Sequence, residues 1–449
     1  TPFEVTTNYT NFNGFGLARL ITTSSTGVTA RTKALQYDVQ GRFVQRTTNA
    51  IGQHAYRSYH PIYGTVATTT GIDGLVTQFE YDGFGRPIKQ TDPDGIITKT
   101  TLQFEQSPTA NHSLYSQTIA TTGTPFVKTF YDQLEREVEL KTQGFSGNVL
   151  RTNTTYDAYG NVKTTTLPHT AAQPPIVTEN NYHSTYKNRL LSTSNNIGNT
   201  LYNYNFSYGN RIVKTTYPDN TTKTTYTDYT GKMIAAADVG GMLNYEYYSS
   251  GLLKKVTMND QWLSKMKYNL QGNQTELEER NASITKYTYN NFGELTEQTD
   301  ANGNTKEMSY DVLGRIIRKT GTGTSNTQNN YYYVPSGNGI NQLQSVLETN
   351  TNTKEEYTYD YLGRVERLKE TVDNTVFTTK YSYNALSNLA TTTYPSGANI
   401  KNTYNNLGFL KIVSNNGDMV WQGGAMNNFG QYTNIKKGDG ISTYKKYDQ

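Results

Sequence analysis

The chain contains no cysteine. Disulfides and thiolate metal sites are thereby excluded, although the compartment is left open. It holds no apolar run of 18 residues, so no helix of this sequence is suited to span a bilayer. Hydrophobic residues are scarce at 34 %, and charged residues make up only 17 %. The net charge of +4 is too small and too dispersed to argue for a nucleic-acid or anionic-membrane partner. A poorly hydrophobic chain can be disordered, but disorder goes with few aromatics and usually a high net charge. Here there are 38 Tyr and 15 Phe. Tyr and Thr suit a pleated, half-buried surface. The composition therefore predicts an ordered all-β chain whose faces are largely wet. At 449 residues it exceeds an ordinary single core, which leaves two or three domains or one repeat architecture.

The repeat is present in plain sight. Residues 279–299 and 300–320 align without a gap, with Tyr289 on Tyr310 and Gly293 on Gly314. Clear copies of the same phrase begin at Tyr37, Tyr81, Tyr156, Tyr268, Tyr289, Tyr310, Tyr359, Tyr383 and Tyr404. Weaker copies begin at Phe12, Tyr59, Tyr131, Tyr247 and Tyr333. Glu135 and Ser387 stand where the phrase has Gly. The step is 21 from Tyr226 to Tyr310 and drifts elsewhere, giving roughly 20 units of about 22 residues.

One unit reads as a β-hairpin with its connection. Around Tyr310, "KEMSY" alternates without a breaker and reads as a strand. Asp311 can bond the backbone two residues on and start a turn. Gly314 can take the positive φ of a short loop with a bulge. "RIIRKT" returns, and clusters such as "DANGN" reverse the chain again. A single hairpin is marginal, so the units must pair side by side. About 40 strands spaced about 4.8 Å apart make a ribbon about 190 Å long, which must coil. Such a ribbon wraps about once around a cylinder roughly 50–60 Å across. Stacked motif tyrosines are expected to form a ladder of rings, with Arg42, Arg86, Arg315 and Arg364 over them as cations. The whole of 1–449 reads as one array. Longer loops or insertions are expected near 104–130, 167–188 and 321–342.

The phrase Tyr-Asp-x-x-Gly-Arg resembles the YD repeat of bacterial Rhs proteins, of the B and C components of insecticidal Tc toxins, and of teneurins. The residues that carry it are Tyr37, Asp38, Gly41 and Arg42; Tyr81, Asp82, Gly85 and Arg86; Tyr156, Asp157 and Gly160; Tyr310, Asp311, Gly314 and Arg315; and Tyr359, Asp360, Gly363 and Arg364. The resemblance implies a β-sheet ribbon spiralling into part of a hollow shell. It implies a structural container that shields a C-terminal toxin or effector until delivery. The partners would be the remainder of the shell, that enclosed domain and a delivery or secretion component. The location would be secreted or cell-surface, in bacteria. An alternative within the same resemblance is a wall-associated or teneurin-like adhesion protein whose loops or Tyr faces contact glycan or protein. The family's aspartyl self-cleavage site uses Asp-Pro-x-Gly phrases near the end of the shell. Asp92-Pro93-Asp94-Gly95 lies early, without a partner phrase, and reads as a plain turn. The chain opens on Thr1 with no signal-peptide pattern, and Tyr447 begins a further copy, so both ends are expected to be cuts within a larger polypeptide.

Chemistry-bearing constellations are few. His54 and His60 could share a strand face, but no third ligand accompanies them; His112, His169 and His183 are scattered. Asp300, Asn302 and Asn304 imitate the start of a calcium loop, yet Thr305 replaces its Gly and the final Glu is missing. No nucleophile elbow, metalloprotease helix or phosphate loop occurs. The carboxylates recur with the repeat, as turn residues do. The expectation is a non-enzyme without cofactor or metal. Tyr331–Tyr333 are read as loop residues able to contact sugar or protein.

Overall fold

A computed structural model describes residues 4–105, 113–323 and 326–447. Among these residues, thirty-nine strands form one sheet, numbered β1 to β39 in chain order. Each pairs antiparallel with its sequence neighbours, from β1 (Val5–Phe12) to β39 (Ser442–Tyr444). The sheet is one unclosed meander, with no helix among the described residues. The all-β hairpin array predicted from composition and spacing is what the chain builds.

The strands run across the ribbon, so turns alternate between its two edges. The motif turns lie on one edge and the inter-hairpin clusters on the other. In the hairpin of β27 (Thr305–Tyr310) and β28 (Ile316–Gly321), the register slips just before Tyr310. The same slip precedes Tyr37, Tyr59, Tyr81, Tyr131, Tyr156, Tyr289 and Tyr359. A bulge bends its strand and raises its twist. A few bulges lie at the other edge, beside Thr23, Val256 and Val413; the far more numerous ones on the motif edge bend successive hairpins in the same sense, and the ribbon coils.

It coils more tightly than a single wrap. Gln53, in the turn after β4 (Val44–Thr48), meets Asn341, in the turn after β29 (Thr327–Tyr333). One coil therefore takes about 25 strands, or about 120 Å of ribbon, and closes on a ring about 40 Å across. Spacing alone gave the ribbon length but not the bulge-driven curvature.

The accessible surface is 26772 Å² for a 50.4 kDa chain. A compact protein of that mass exposes about 17,000 Å². Few large apolar side chains are buried among the described residues, Phe130, Val138, Leu150 and Ile435 being examples. The sheet has two wet faces. The face opposite the motif Tyr carries cross-strand ion pairs, Lys89–Glu80 at 2.7 Å, Lys267–Glu276 at 2.9 Å and Lys369–Glu356 at 3.0 Å.

The three stretches read as loops each carry a strand that continues the meander: β10 (Tyr115–Thr121), β15 (Val177–Tyr182) and β29. The lengthening sits in the turns, such as 167–176 and 334–342. Residues 106–112, with His112, lie outside the described residues, as do Asp448 and Gln449. Tyr331–Tyr333 end β29 rather than forming a loop.

Candidate functional site

Where the motif carries its aspartate, that residue closes the turn, and Asn269, Asn290, Asn384, Asn405 and Asn427 do the same in other copies. In the turn after β27, the Gly314 N–H donates to the Asp311 carbonyl at 3.0 Å. The Leu313 and Arg315 N–H groups donate to Asp311 Oδ1 at 2.9 and 3.0 Å. The Arg315 guanidinium grips Oδ2 from Nε at 2.7 Å and from Nη2 at 2.6 Å. Asp360–Arg364, Asp132–Arg136 and Asp82–Arg86 repeat the fork. Asp38 accepts the Arg42 N–H at 2.6 Å but holds the guanidinium more loosely, at 3.6 Å. In the copy at Asp157, Asn161 replaces the arginine and donates from Nδ2 at 2.9 Å. At Asp82 the Arg86 hydrogen bond holds the carboxyl below its ordinary range. At Asp311 burial pushes the carboxyl up, but Arg315 and two backbone donors outweigh it and the net shift is down.

The motif tyrosines clamp unit to unit. Tyr310 Oη donates to the Leu295 carbonyl at 2.7 Å, Tyr37 to Ala18 at 3.1 Å, Tyr81 to Val66 at 2.7 Å and Tyr156 to Glu137 at 2.8 Å. Tyr359 donates to Leu343 at 2.5 Å. The ring-on-ring ladder is not what forms. Successive motif rings are two strands, about 9.6 Å, apart, too far for ring contact. Arginine fills the gap instead: the Arg315 guanidinium lies 4.2 Å from the Tyr333 ring centre, and Arg364 lies 4.3 Å from that of Tyr383. Arg42 and Arg86 lie over Phe43 and Phe84.

One motif glycine is needed twice over. Gly85 has φ +77°, and a Cβ there would meet Tyr63 of the preceding turn at 3.2 Å. Gly41, Gly160, Gly314 and Gly363 also take positive φ. Glu135 and Ser387, the two substitutes, are held at φ +60° and +58°.

The most specific constellation is the seam where the second coil meets the first. Motif turns of the second coil receive inter-hairpin turns of the first, between 255 and 293 residues away. Asn291 Nδ2 donates to the Thr26 carbonyl at 2.9 Å, and Arg31 pairs with Glu294 at 2.5 Å while lying 4.6 Å over Phe292. Gln53 and Asn341 exchange amide hydrogen bonds at 2.7 and 3.0 Å. Arg315 Nη1 also donates to Asn341 Oδ1 at 3.1 Å, which ties the motif fork into the seam. Ser387 accepts from Arg364 at 2.9 Å and donates to Asp94 at 2.6 Å. Asn405 donates to the Phe145 carbonyl at 2.9 Å, and Phe145 packs on Phe409 and Tyr432. Asp94, read as a plain turn residue, is thus a seam residue. The sequence marked none of these partners, because contacts nearly 300 residues apart depend on the coil's circumference.

His54 bonds Thr48, His60 stacks on Tyr63, and no group of three metal-binding side chains occurs among the described residues. A cleft of about 900 Å³ is lined by strand residues including Glu80, Lys89, Lys99 and Gln117. It holds no convergent catalytic set. The geometry supports a wall and the joints within it.

Residues 64–97, 268–305 and 289–327 match the RHS Repeat family. No curated protein matches the sequence significantly. Among solved structures, a TcdB2-TccC3-Cdc42 complex matches 99 % of this chain with a TM-score of 0.79 at 13 % identity. TcdB2-TccC3 without its hypervariable C-terminal region gives 0.80 at 12 %. A Photorhabdus luminescens Tc holotoxin pore carrying a TccC3 mutation gives 0.80 at 13 %. This chain spans only about 30 % of each of those chains. Three stretches of the chain thus match the RHS repeat, and the chain as a whole has the fold of the TcdB2-TccC3 chains.

Proposed function

We propose that the chain is a wall segment of a shell that encloses a toxin or effector domain and holds it inactive until delivery. The observation that carries this reading is the seam: the ribbon closes on itself coil upon coil through side-chain bonds, as a container wall must. The ring of about 40 Å is wide enough for an extended or loosely packed chain. The face of Ser, Thr and paired Lys and Glu offers a confined chain little apolar surface on which to fold. Other toxin components would be its partners, by likeness to the TcdB2-TccC3 assemblies. Secretion from a bacterium belongs to the same proposal. The described residues assemble no catalytic set, and we assign the chain no enzymatic role.

Electron cryomicroscopy of the longest natural polypeptide containing this chain tests the reading. A closed particle with density inside, protected from protease until the shell is opened, is expected. An open spiral with nothing enclosed would replace the container by a scaffold.

A further inference from the structure

On the face opposite the motif Tyr, the sequence scatters its cations but the strand register gathers some of them. Arg367, in β32 (Val365–Val372), lies directly across from Lys380, in β33 (Thr375–Tyr383). Thr358 and Thr393 flank this pair on the outer strands. Like charges directly opposite one another destabilise a sheet. Other such pairs on this face are relieved by carboxylates. Lys255 and Lys265 are opposed in the same way, but Glu246 reaches the first at 3.2 Å and Glu278 the second at 2.9 Å. Lys89 and Lys99 keep one carboxylate, Glu80 at 2.7 Å from Lys89. Arg367 and Lys380 have none. Both are exposed, and neither forms an ion pair among the described residues.

Three more cations share this face within two strands of the pair: Lys354 in β31 (Thr353–Tyr359), Lys369 in β32 and Lys401 in β35 (Asn399–Tyr404). Two carboxylates stand among them. Glu356 is held by Lys354 at 2.8 Å and by Lys369 at 3.0 Å, and Glu366 sits at the motif bulge. Towards the N-terminus the next carboxylate of this face is Glu307 in β27, five strands or about 24 Å from β32. The Debye length of about 8 Å in physiological salt screens it from the pair. Two clefts, of about 780 and 660 Å³, share Thr358 and Arg367 and form one groove over these strands. Thr378, Thr391 and Thr393 line it. From β31 to β35 no aromatic ring stands on this face among the described residues.

We propose that this groove is a docking site for an acidic, extended polypeptide segment. Its carboxylates supply at Arg367 and Lys380 the negative charge that Glu246 and Glu278 supply at Lys255 and Lys265. Arginine takes a carboxylate in a two-pronged hydrogen bond, lysine takes it as a point charge, and threonine hydroxyls donate to the remaining lone pairs. The four strand spacings from β31 to β35, about 19 Å, match about six residues of an extended chain. A nucleic-acid strand is the poorer occupant, because its bases need aromatic rings to stack on. The site lies on the sheet face, away from both rims. It stands on the register and the charges alone, whether or not the wall encloses a cargo.

Fluorescence anisotropy of the full chain with labelled peptides is the test. One peptide is a Glu-rich segment of about ten residues, long enough to cross the groove, and the other carries Gln in place of each Glu. The Glu peptide is expected to bind with a Kd of about 1–100 µM, more weakly as salt rises from about 50 to 300 mM, and the Gln peptide not at all. Arg367→Gln with Lys380→Gln is expected to weaken binding about tenfold or more without lowering the melting temperature, since a like-charge pair is removed. Lys214→Gln removes a lone exposed cation of the same face and is expected to change binding by less than about twofold. A Glu peptide that fails to bind at about 1 mM, or one that binds the double variant as it binds the parent, would overturn the proposal. A labelled oligothymidylate of the same charge that binds more tightly than the Glu peptide would replace the polypeptide by a nucleic acid and overturn it too.

Discussion

The Ser387 hydroxyl donates to an Asp94 carboxylate oxygen at 2.6 Å, although 293 positions separate them in the chain. Ser387 is also the residue that replaces the motif glycine and pays a strained φ of +58° for it. The hydroxyl is positioned by Arg364 on one side and reaches the first coil on the other. A break in the repeat is here the means of joining two coils.

Replacing Ser387 by Ala removes that bridge and keeps the backbone strain. A hydrogen bond to a charged group contributes about 1.5–3 kcal/mol, so a loss of that order is expected. Hydrogen exchange should rise at 92–96 and 384–388 and stay unchanged at 311–315. Equal protection at 92–96 in the parent and the variant would show that the bridge does not hold the seam.

Gly408→Ala should cost more than Gly430→Ala. Both glycines have positive φ, +77° and +75°. A Cβ on Gly408 would lie 2.6 Å from the Gly123 carbonyl oxygen across the seam, whereas nothing lies within 4 Å at Gly430. Gly430→Ala carries the backbone penalty alone, about 1–2 kcal/mol. Gly408→Ala adds displacement of a backbone atom in the other coil. Denaturant titration of both variants gives the difference, and equal costs would place no seam contact at Gly408.

Tyr310→Phe keeps the ring and deletes the bond to the Leu295 carbonyl. A net loss of about 1 kcal/mol is expected, since one carbonyl of the preceding unit loses its donor. Thermal unfolding of this variant beside Tyr332→Phe is the check. Tyr332 is on the opposite face and half exposed, and its change should be within about 0.5 kcal/mol.

Much of this fold was written locally. Tyr310, Asp311 and Gly314 announce strand, turn and positive φ within five residues, and the structure uses them so. The motif arginine was legible as a ring partner, but its fork on Asp311 four residues earlier was not, because the i, i+4 rule describes a helix face, and here a bulged hairpin turn brings the two side chains together. The seam was illegible for a different reason. Gln53 and Asn341 meet only because bulges concentrated on the motif edge set the coil at about 25 strands, a sum of small curvatures that no single repeat encodes. The strands β10, β15 and β29 were hidden by the Pro, Gly and Asn of their lengthened turns, which mask the alternation beside them.

Stability against pH should form a plateau with two edges. The Arg86 hydrogen bond lowers the Asp82 carboxyl, the Asn161 amide lowers Asp157, and the Asn304 amide lowers Asp300. A carboxyl lowered by folding stabilises the fold above its unfolded value of 3.8 and ceases to do so as pH falls through the folded value. The motif tyrosines act in the opposite direction. Burial raises Tyr289, Tyr310 and Tyr359 above the ordinary 10.0. A phenol raised by folding contributes fully below 10.0, and its contribution is lost as pH climbs from there through the folded value. Melting temperature should therefore be level from about pH 5 to 9, fall below about pH 4 as the turns lose their carboxylates, and fall again above about pH 10 as the unfolded chain releases phenolic protons. Circular dichroism melts across that range measure it. A steep change between pH 5.5 and 7.5 would assign control to histidine and contradict a wall held by Asp turns and Tyr clamps.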